Sequence, residues 1–285
     1  MPELPEVETV ARGLRARIVG EVIVGVEVFW PRSVASHSVE AFADGLVGQA
    51  IVDVGRRGKY VVLSLSGHGC LLVHLRMTGR LLLEEPEEGG DPDAQRYTRV
   101  LWRLCSGRRL RFWDIRKFGR VHWVAAPEEA LAALGPEPLS VAFTVDALRA
   151  MLRARRRQIK PLLLDQHFLA GLGNIYVDEA LWEARIHPAR RAHTLSDAEV
   201  ARLHAAIVGV LGAAVRGRGT TLRDYRSADN RPGDYQHELV VYGREGQPCR
   251  RCGHPIVRTV IGGRGTRLCP ICQPEAVATP ERPKE

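Results

Sequence analysis

Cys249 and Cys252 are followed, after a gap of sixteen residues, by Cys269 and Cys272. Two Cys-x2-Cys pairs at this separation have the spacing of a four-cysteine zinc ribbon, whereas four unrelated cysteines would have no reason to pair this way. Four thiolates leave no position for water, so the site reads as closed and structural, holding one Zn2+. Between Gly246 and Pro274 there is no acid, but there are Arg250, Arg251, Arg258, Arg264 and Arg267. A zinc hairpin this basic would sit well against phosphates. The other two cysteines, Cys70 and Cys105, fall in apolar β-type runs and read as buried. Such usage points to a metal site in a reducing compartment and not to a disulfide framework. The tail beyond Pro274, rich in Pro, Ala and Glu, reads as disordered.

The N-terminus, Met1-Pro2-Glu3-Leu4-Pro5-Glu6-Val7-Glu8, supports two readings. In one, it opens a helix: Pro5 stands in the first turn and acids meet the macrodipole. Leu4, Val7, Ala11, Leu14 and Ile18 continue it as a buried stripe ending near Gly20. In the other, trimming of Met1 exposes Pro2 as a secondary amine with Glu3 beside it. An α-amino group is neutral for roughly a tenth of the time at pH 7, a lysine far less often. Such an amine can form a Schiff base, and a carboxylic acid within reach can supply a proton. Both readings can hold, because a buried helix would fix the N-terminus in place. Of 41 basic residues only Lys59, Lys117, Lys160 and Lys284 are lysines, so few other amines could serve.

At 285 residues and 45% apolar content the chain has room for two cored domains. A net charge of +8 suggests an anionic partner such as nucleic acid, although Arg-rich chains also follow from genome composition. The acidic N-terminus is unlike a signal peptide, and no apolar run reads as long enough to cross a membrane. A cytoplasmic location follows as an expectation.

Short runs rich in β-branched and aromatic residues follow the first helix: 22–30, 51–54, 60–65, 70–75, 100–104, 109–113 and 120–124. Gly and polar turns separate them, which predicts an antiparallel sandwich or barrel. The acidic stretch Glu84–Asp93 reads as a solvated loop. Three turns carry candidate residues: Arg56-Arg57-Gly58-Lys59, His74-Leu75-Arg76-Met77-Thr78-Gly79, and Asp114-Ile115-Arg116-Lys117-Phe118-Gly119. Taken alone, Lys59 reads as a surface lysine and Met77 as core. Arg116, Lys117 and Phe118 could touch phosphates and wedge between bases, or simply form a hairpin with a buried Phe. Beyond a linker at 135–143 the pattern turns helical. Thr144 can cap a helix through Leu152, with Arg153, Arg155, Arg156 and Arg157 behind it. Gly171–Asn174 is a tight turn opening another helix, a ready phosphate site. Ser196 and Glu199 form a capping box for a helix to about Arg216. The glycine- and threonine-rich segment after it reads as a connector or a lid over a bound base.

Taken in order, the motifs PELPEVE, RRGKY, HLRMTG, DIRKFG, LGPEPLS, AGLGNIYVDEAL, GTTLRDY and ELVVYGR with the cysteine quartet resemble the formamidopyrimidine-DNA glycosylases. The resemblance runs from Pro2 to Gln273. Leu4 favours this purine branch over the oxidised-pyrimidine sister family, which usually begins PEGPE. It implies an α+β multi-domain fold: an N-terminal helix with an antiparallel β-sandwich (1–134), a linker (135–143), a helix-two-turn-helix domain (144–238), a zinc-finger hairpin (239–273) and a tail (274–285).

The implied activity is excision of oxidised purines, 8-oxoguanine or formamidopyrimidines, from double-stranded DNA, followed by β,δ-elimination at the abasic site. The implied agent is a monomer, nucleoid-associated and away from membranes. By resemblance Pro2 attacks C1′ and Glu3 donates a proton. Lys59 and Arg264 assist, and Glu6 supports the site. His74, Asn174 and, more loosely, Arg155 contact phosphates. Met77, Arg116 and Phe118 fill the gap left by the extruded base. Loop 217–224, with Gly219, Thr220, Thr221 and Arg223, folds over the lesion. The chain departs from the family at Arg96-Tyr97-Thr98-Arg99-Val100, where a KHDHV-like stretch is usual, so no site residue is carried over there. A non-catalytic zinc nucleic-acid-binding protein would share the basic ribbon and the charge. Pro2-Glu3 and Lys59 separate the two classes.

Overall fold

The computed structural model describes residues 1–35, 37–67, 69–86, 96–221, 225–228 and 230–275. The chain divides into two compact units, Met1–Gly135 with Gly212–His237, and Pro136–Leu211 with Glu238–Glu285. Arg223, most of the acidic stretch and residues 276–285 of the tail lie outside the described residues.

In the first unit, helix α1 (Leu4–Ile18) buries Leu4, Val7, Val10, Ala11, Leu14 and Ile18, the stripe expected from the spacing. Arg15 and Arg17 in its last turn complement the dipole. Two antiparallel four-stranded sheets share its core. One has the order β1-β6-β7-β5, with β1 Ile23–Val28, β5 Arg80–Glu84, β6 Thr98–Leu104 and β7 Arg109–Trp113. The other has the order β2-β3-β4-β8, with β2 Ile51–Arg57, β3 Tyr60–Leu65, β4 Cys70–His74 and β8 Arg120–Val124. In β3, Val61, Leu63 and Leu65 face the main core, where Trp102 and Phe112 also lie. Tyr60 and Val62 point the other way, onto Leu131 and Leu134. Because both faces of this sheet are covered, all five residues of β4 are buried.

Two local expectations are corrected, and one element is new. Glu84 is not part of a solvated loop: it ends β5 and pairs with Arg111 Nε at 2.6 Å, while the half-exposed Glu85 pairs with Arg17. Cys70 is buried as expected, but Cys105 lies just past β6 and is exposed. The short helix α2 (Val39–Leu46), capped by Ser38 and buried through Phe42 and Leu46, has no counterpart in the sequence reading.

The second unit holds α3 (Val145–Arg153), α4 (Ile159–Leu163), α5 (Asn174–Glu183), most of α6 (Asp197–Arg216) and the hairpin β9–β10 (Val257–Ile261, Arg264–Leu268). Thr144 caps α3 by accepting from Ala147 N–H at 3.2 Å. Ser196 and Glu199 form the capping box expected before α6. Contrary to the sequence expectation, α6 is long and apolar enough to cross a membrane by length and composition. Its apolar residues have a nearer destination: Val200, Leu203, Ile207, Leu211 and Ala214, three or four apart, are buried in the protein.

Candidate active site and nucleic-acid interface

Pro2 is buried, while Met1 ahead of it is 53% exposed. Glu3, 2% exposed, is the N-cap of α1. Glu3 and Glu6 form a reciprocal capping box, in which the Glu6 carboxylate accepts from Glu3 N–H at 2.8 Å. The other Glu6 oxygen accepts from Thr220 N–H at 2.7 Å. Tyr225 Oη donates to Glu6 O at 3.3 Å. One buried carboxylate therefore ties the N-terminus to the segment that the resemblance assigns to the lesion loop. Gly219 is required there: its φ is +78°, and a Cβ would lie 2.7 Å from Glu6 Oε1. On the other side of the loop base, Thr221 Oγ1 donates to Tyr225 O at 3.2 Å and accepts from Gly233 N–H at 2.9 Å.

Lys59 is only 6% exposed, so the surface-lysine reading fails. It occupies the two-residue turn between β2 and β3, where Gly58 has φ +56°. This turn is tethered to α1: Arg56 Nε donates to Glu8 at 2.8 Å, and Arg56 Nη1 donates to Gly58 O at 3.0 Å. Arg56 and Arg12 together hold the Glu8 carboxyl below its ordinary range against the opposing effect of burial.

His74, at the end of β4, accepts from Arg76 N–H through Nδ1 at 3.0 Å. Its neutral form therefore carries the proton on Nε2. Burial first, then the charges of Arg76 and Lys59, push its pKa down to about 3. It can offer a phosphate a hydrogen bond but no positive charge near neutrality.

Met77, Arg116 and Phe118 are brought together by two neighbouring turns. Met77 is 43% exposed and not core. Phe118 is 48% exposed, which excludes the buried-Phe hairpin. Arg116 Nη1 lies 3.1 Å from Met77 Sδ, and its guanidinium stands 4.8 Å from the Phe118 ring centre. Lys117, at φ +58°, covers the Trp30 ring at 4.0 Å. Exposed apolar and cationic tips of this kind suit insertion between bases.

In the second unit, α5 organises everything around the hairpin. Arg264 follows Gly262 and Gly263, whose φ values of +58° and +73° make the two-residue turn of a tight hairpin. A Cβ on Gly262 would come within 2.5 Å of Pro161 Cγ. Asn174 Nδ2 donates to Gly265 O at 2.9 Å, as does Lys160 Nζ at 3.1 Å. The Asn174 side chain thus braces the residue after Arg264 with one of its two amide hydrogens. Lys160 also pairs with Asp178 at 2.6 Å, both fully buried, and Asp178 accepts from Arg267 N–H at 3.0 Å. Glu179 accepts from Val240, Val241 and Tyr242 N–H at 2.8–3.0 Å. Sequence reasoning missed these three. The available signal was two acids inside a helix whose other residues are almost all apolar and buried. Arg155, past the end of α3, is exposed with its guanidinium on Ala154 O.

The four cysteine sulfurs lie within 4.8 Å of one another. Cys249 and Cys272 are 3.9 Å apart, and Cys252 and Cys269 are 3.4 Å apart. A tetrahedral zinc with Zn–S of about 2.3 Å needs sulfurs roughly 3.8 Å apart, so the donor set fits. Trp182 Nε1–H, on α5, points at Cys249 Sγ from 3.4 Å.

Family models match in the same order as these parts. The formamidopyrimidine-DNA glycosylase N-terminal domain matches residues 1–121, the H2TH domain of the same enzymes residues 134–225, and the zinc finger found in FPG and IleRS residues 246–274. The formamidopyrimidine-DNA glycosylase of Herpetosiphon aurantiacus is 48% identical over 278 residues, covering 96% of this chain and 100% of the relative. That of Pelotomaculum thermopropionicum is 49% identical over 279 residues, covering 96% and 99%. Among solved structures, a mutant Lactococcus lactis FPG in complex with Fapy-dG-containing DNA aligns with a TM-score of 0.88 at 37% identity, covering 96% of this chain and all of that one. The MutM (FPG) protein from Thermus thermophilus aligns with a TM-score of 0.86 at 42% identity, covering 97% and 100%. The chain belongs to the formamidopyrimidine-DNA glycosylase family.

Proposed function

We propose that this protein is a base-excision repair enzyme that removes oxidised purines from double-stranded DNA and then cleaves the strand at the abasic site. The observation that carries the reading is the buried Glu3–Glu6 pair directly behind Pro2, with Thr220 held on Glu6. Once Met1 is removed, the Pro2 nitrogen bonds to C1′ as the glycosidic bond breaks and the base leaves with a proton. Glu3 protonates O4′ as the sugar ring opens, and C1′ becomes an iminium carbon. The iminium acidifies the C2′ proton. Loss of that proton expels the 3′ phosphate from C3′, and loss of the C4′ proton then expels the 5′ phosphate from C5′. Water releases Pro2. Lys59 and Arg264 hold phosphates during these steps, and His74 contributes Nε2–H to the same task.

Met77, Arg116 and Phe118 occupy the space vacated by the flipped nucleotide. The Arg116 guanidinium is a donor only, so it favours the O2 and N3 acceptors of an unpaired cytosine over the amine-bearing edge of adenine. Zn2+ at the four cysteines supplies no chemistry to the reaction: it holds the hairpin that presents Arg264. The chain is read as acting as a monomer in the cytoplasm, with working bounds of 1–134, 144–238 and 239–273 for its three modules.

Borohydride reduces an imine to a stable amine, so it should trap processed protein on lesion-bearing duplex, with the adduct mapping to residue 2. Glu3→Gln should slow base release far more than cleavage at a preformed abasic site. An adduct on Lys59 would overturn the assignment of the nucleophile.

A further inference from the structure

The side chains that fill the vacated space come from two crossings between the sheets. Residues 75–79 lead from β4 to β5, and residues 114–119 lead from β7 to β8. The ladders stop at His74–Arg120 on one side and at Arg80–Trp113 on the other. Between those rungs strand pairing sets neither the shape of the crossings nor their mutual register.

Asp114, fully buried, does both. Its Oδ1 accepts from Arg116 N–H at 3.1 Å and from the Thr78 hydroxyl, and its Oδ2 accepts from Gly119 N–H at 2.8 Å. The Thr78 oxygen in turn accepts from Arg116 N–H at 3.3 Å. Behind the turn, Asp114 N–H donates to Tyr97 O at 2.9 Å, and Arg99 Nε donates to Asp114 O at 2.7 Å. Buried Arg99 gives its other hydrogen bonds to the carbonyls of Arg96 and Thr98.

An aspartate bonding the N–H two residues on is an ordinary turn former. Here it is also buried, braced from behind, and joined through Thr78 to the turn that carries Met77. Burying a carboxylate is costly unless its lone pairs are met, and a turn alone can be closed by an exposed one. The tips touch as well, since Arg116 lies against Met77 Sδ.

We infer that Asp114 and Thr78 are positioning residues for recognition of the base opposite the lesion. The bond between them fixes where the Arg116 guanidinium stands, and with it the preference for cytosine. The inference rests on the reading of Arg116 given above. Thr78→Val deletes the hydroxyl and keeps its shape, leaving Asp114 free to close its own turn.

The experiment is single-turnover excision from duplexes that differ only in cytosine or adenine opposite the lesion, with melting temperatures taken alongside. Thr78→Val should narrow the C-over-A preference by about three- to tenfold, the scale set by one net hydrogen bond, and Thr78→Ser should stay within about twofold of the parent. Asp114→Asn places a donor among donors and should narrow it at least as far. Because the effect runs through Arg116, adding Thr78→Val to Arg116→Ala should change the ratio no further. If Arg116→Ala loses the preference while Thr78→Val keeps it, positioning by Thr78 is wrong and the reading of Arg116 stands. Multiplying effects in the double variant would likewise overturn the inference, since general loosening would then be the cause. An unchanged ratio in Arg116→Ala removes both. Should Thr78→Val not fold, Thr78→Ala also lacks the hydroxyl and carries the same test.

Discussion

His74 shows how a single side chain links burial, charge and function. Unfolded, it takes up a proton near pH 6.5; in the fold, burial and the cations Arg76 and Lys59 delay this until about 3. Between those values the unfolded chain binds more protons, so stability rises with pH. The contribution is complete above 6.5 and is lost as pH falls toward 3. Denaturant titrations from pH 7 to pH 4 should show a decline that is flatter in His74→Gln, by up to about 1.4 kcal/mol per pH unit. Parallel curves for the two proteins would mean that His74 is not the group responsible. Individual residues are only partly legible in the sequence. Pro2 beside Glu3 is visible as adjacent letters. The burial of Lys59 is not, because it depends on α1 reaching the β2–β3 turn through Glu8 and Arg56. Asp114 reads as one more turn aspartate until Thr78, far away in the chain, is placed against it.

Elements that carry their own periodicity or caps were legible: α1 by its stripe, α3 by Thr144, α6 by Ser196 and Glu199, and the cysteine hairpin by its spacing. The missed ones were short. Strand β5, Arg-Leu-Leu-Leu-Glu, does not alternate in the sequence, because its outward leucine is half-buried against the protein. Its last residue merged with the acidic stretch that follows. Helix α5 was read only as a helix opened by glycines. In the structure it holds the Gly265 carbonyl, the 240–242 backbone and Cys249 from successive turns. The hairpin consequently hangs between α5 and the metal. Cys249→Ala should lose zinc by metal analysis and weaken duplex binding at least tenfold, the expected result when a metal supplies local folding energy. The near-ultraviolet signal of the β-sandwich should persist. Full zinc content or parental binding in that variant would contradict the arrangement.

At the scale of the whole molecule, the two units each have a core of their own, and the N-terminus belongs to the first of them. Helix α1 is complete with Met1 in place, its capping box is formed, and Met1 stands out at 53% exposure. Folding therefore does not wait for Met1 to leave. A preparation that keeps Met1, checked by intact mass, should match the processed protein in folding stability to within about 0.5 kcal/mol, because only one exposed residue differs and such changes are worth little. It should form no borohydride-trapped adduct, since Pro2 is then an amide. Trapping in proportion to unprocessed protein would refute this. If Pro2 is the nucleophile proposed above, the unprocessed chain is a zymogen with a propeptide one residue long. It would be folded before it is active, and an aminopeptidase, not a ligand or a partner, would decide when it becomes an enzyme. When such a protein is overproduced beyond the capacity of that aminopeptidase, the excess would accumulate folded but silent, and total protein would overstate the enzyme present.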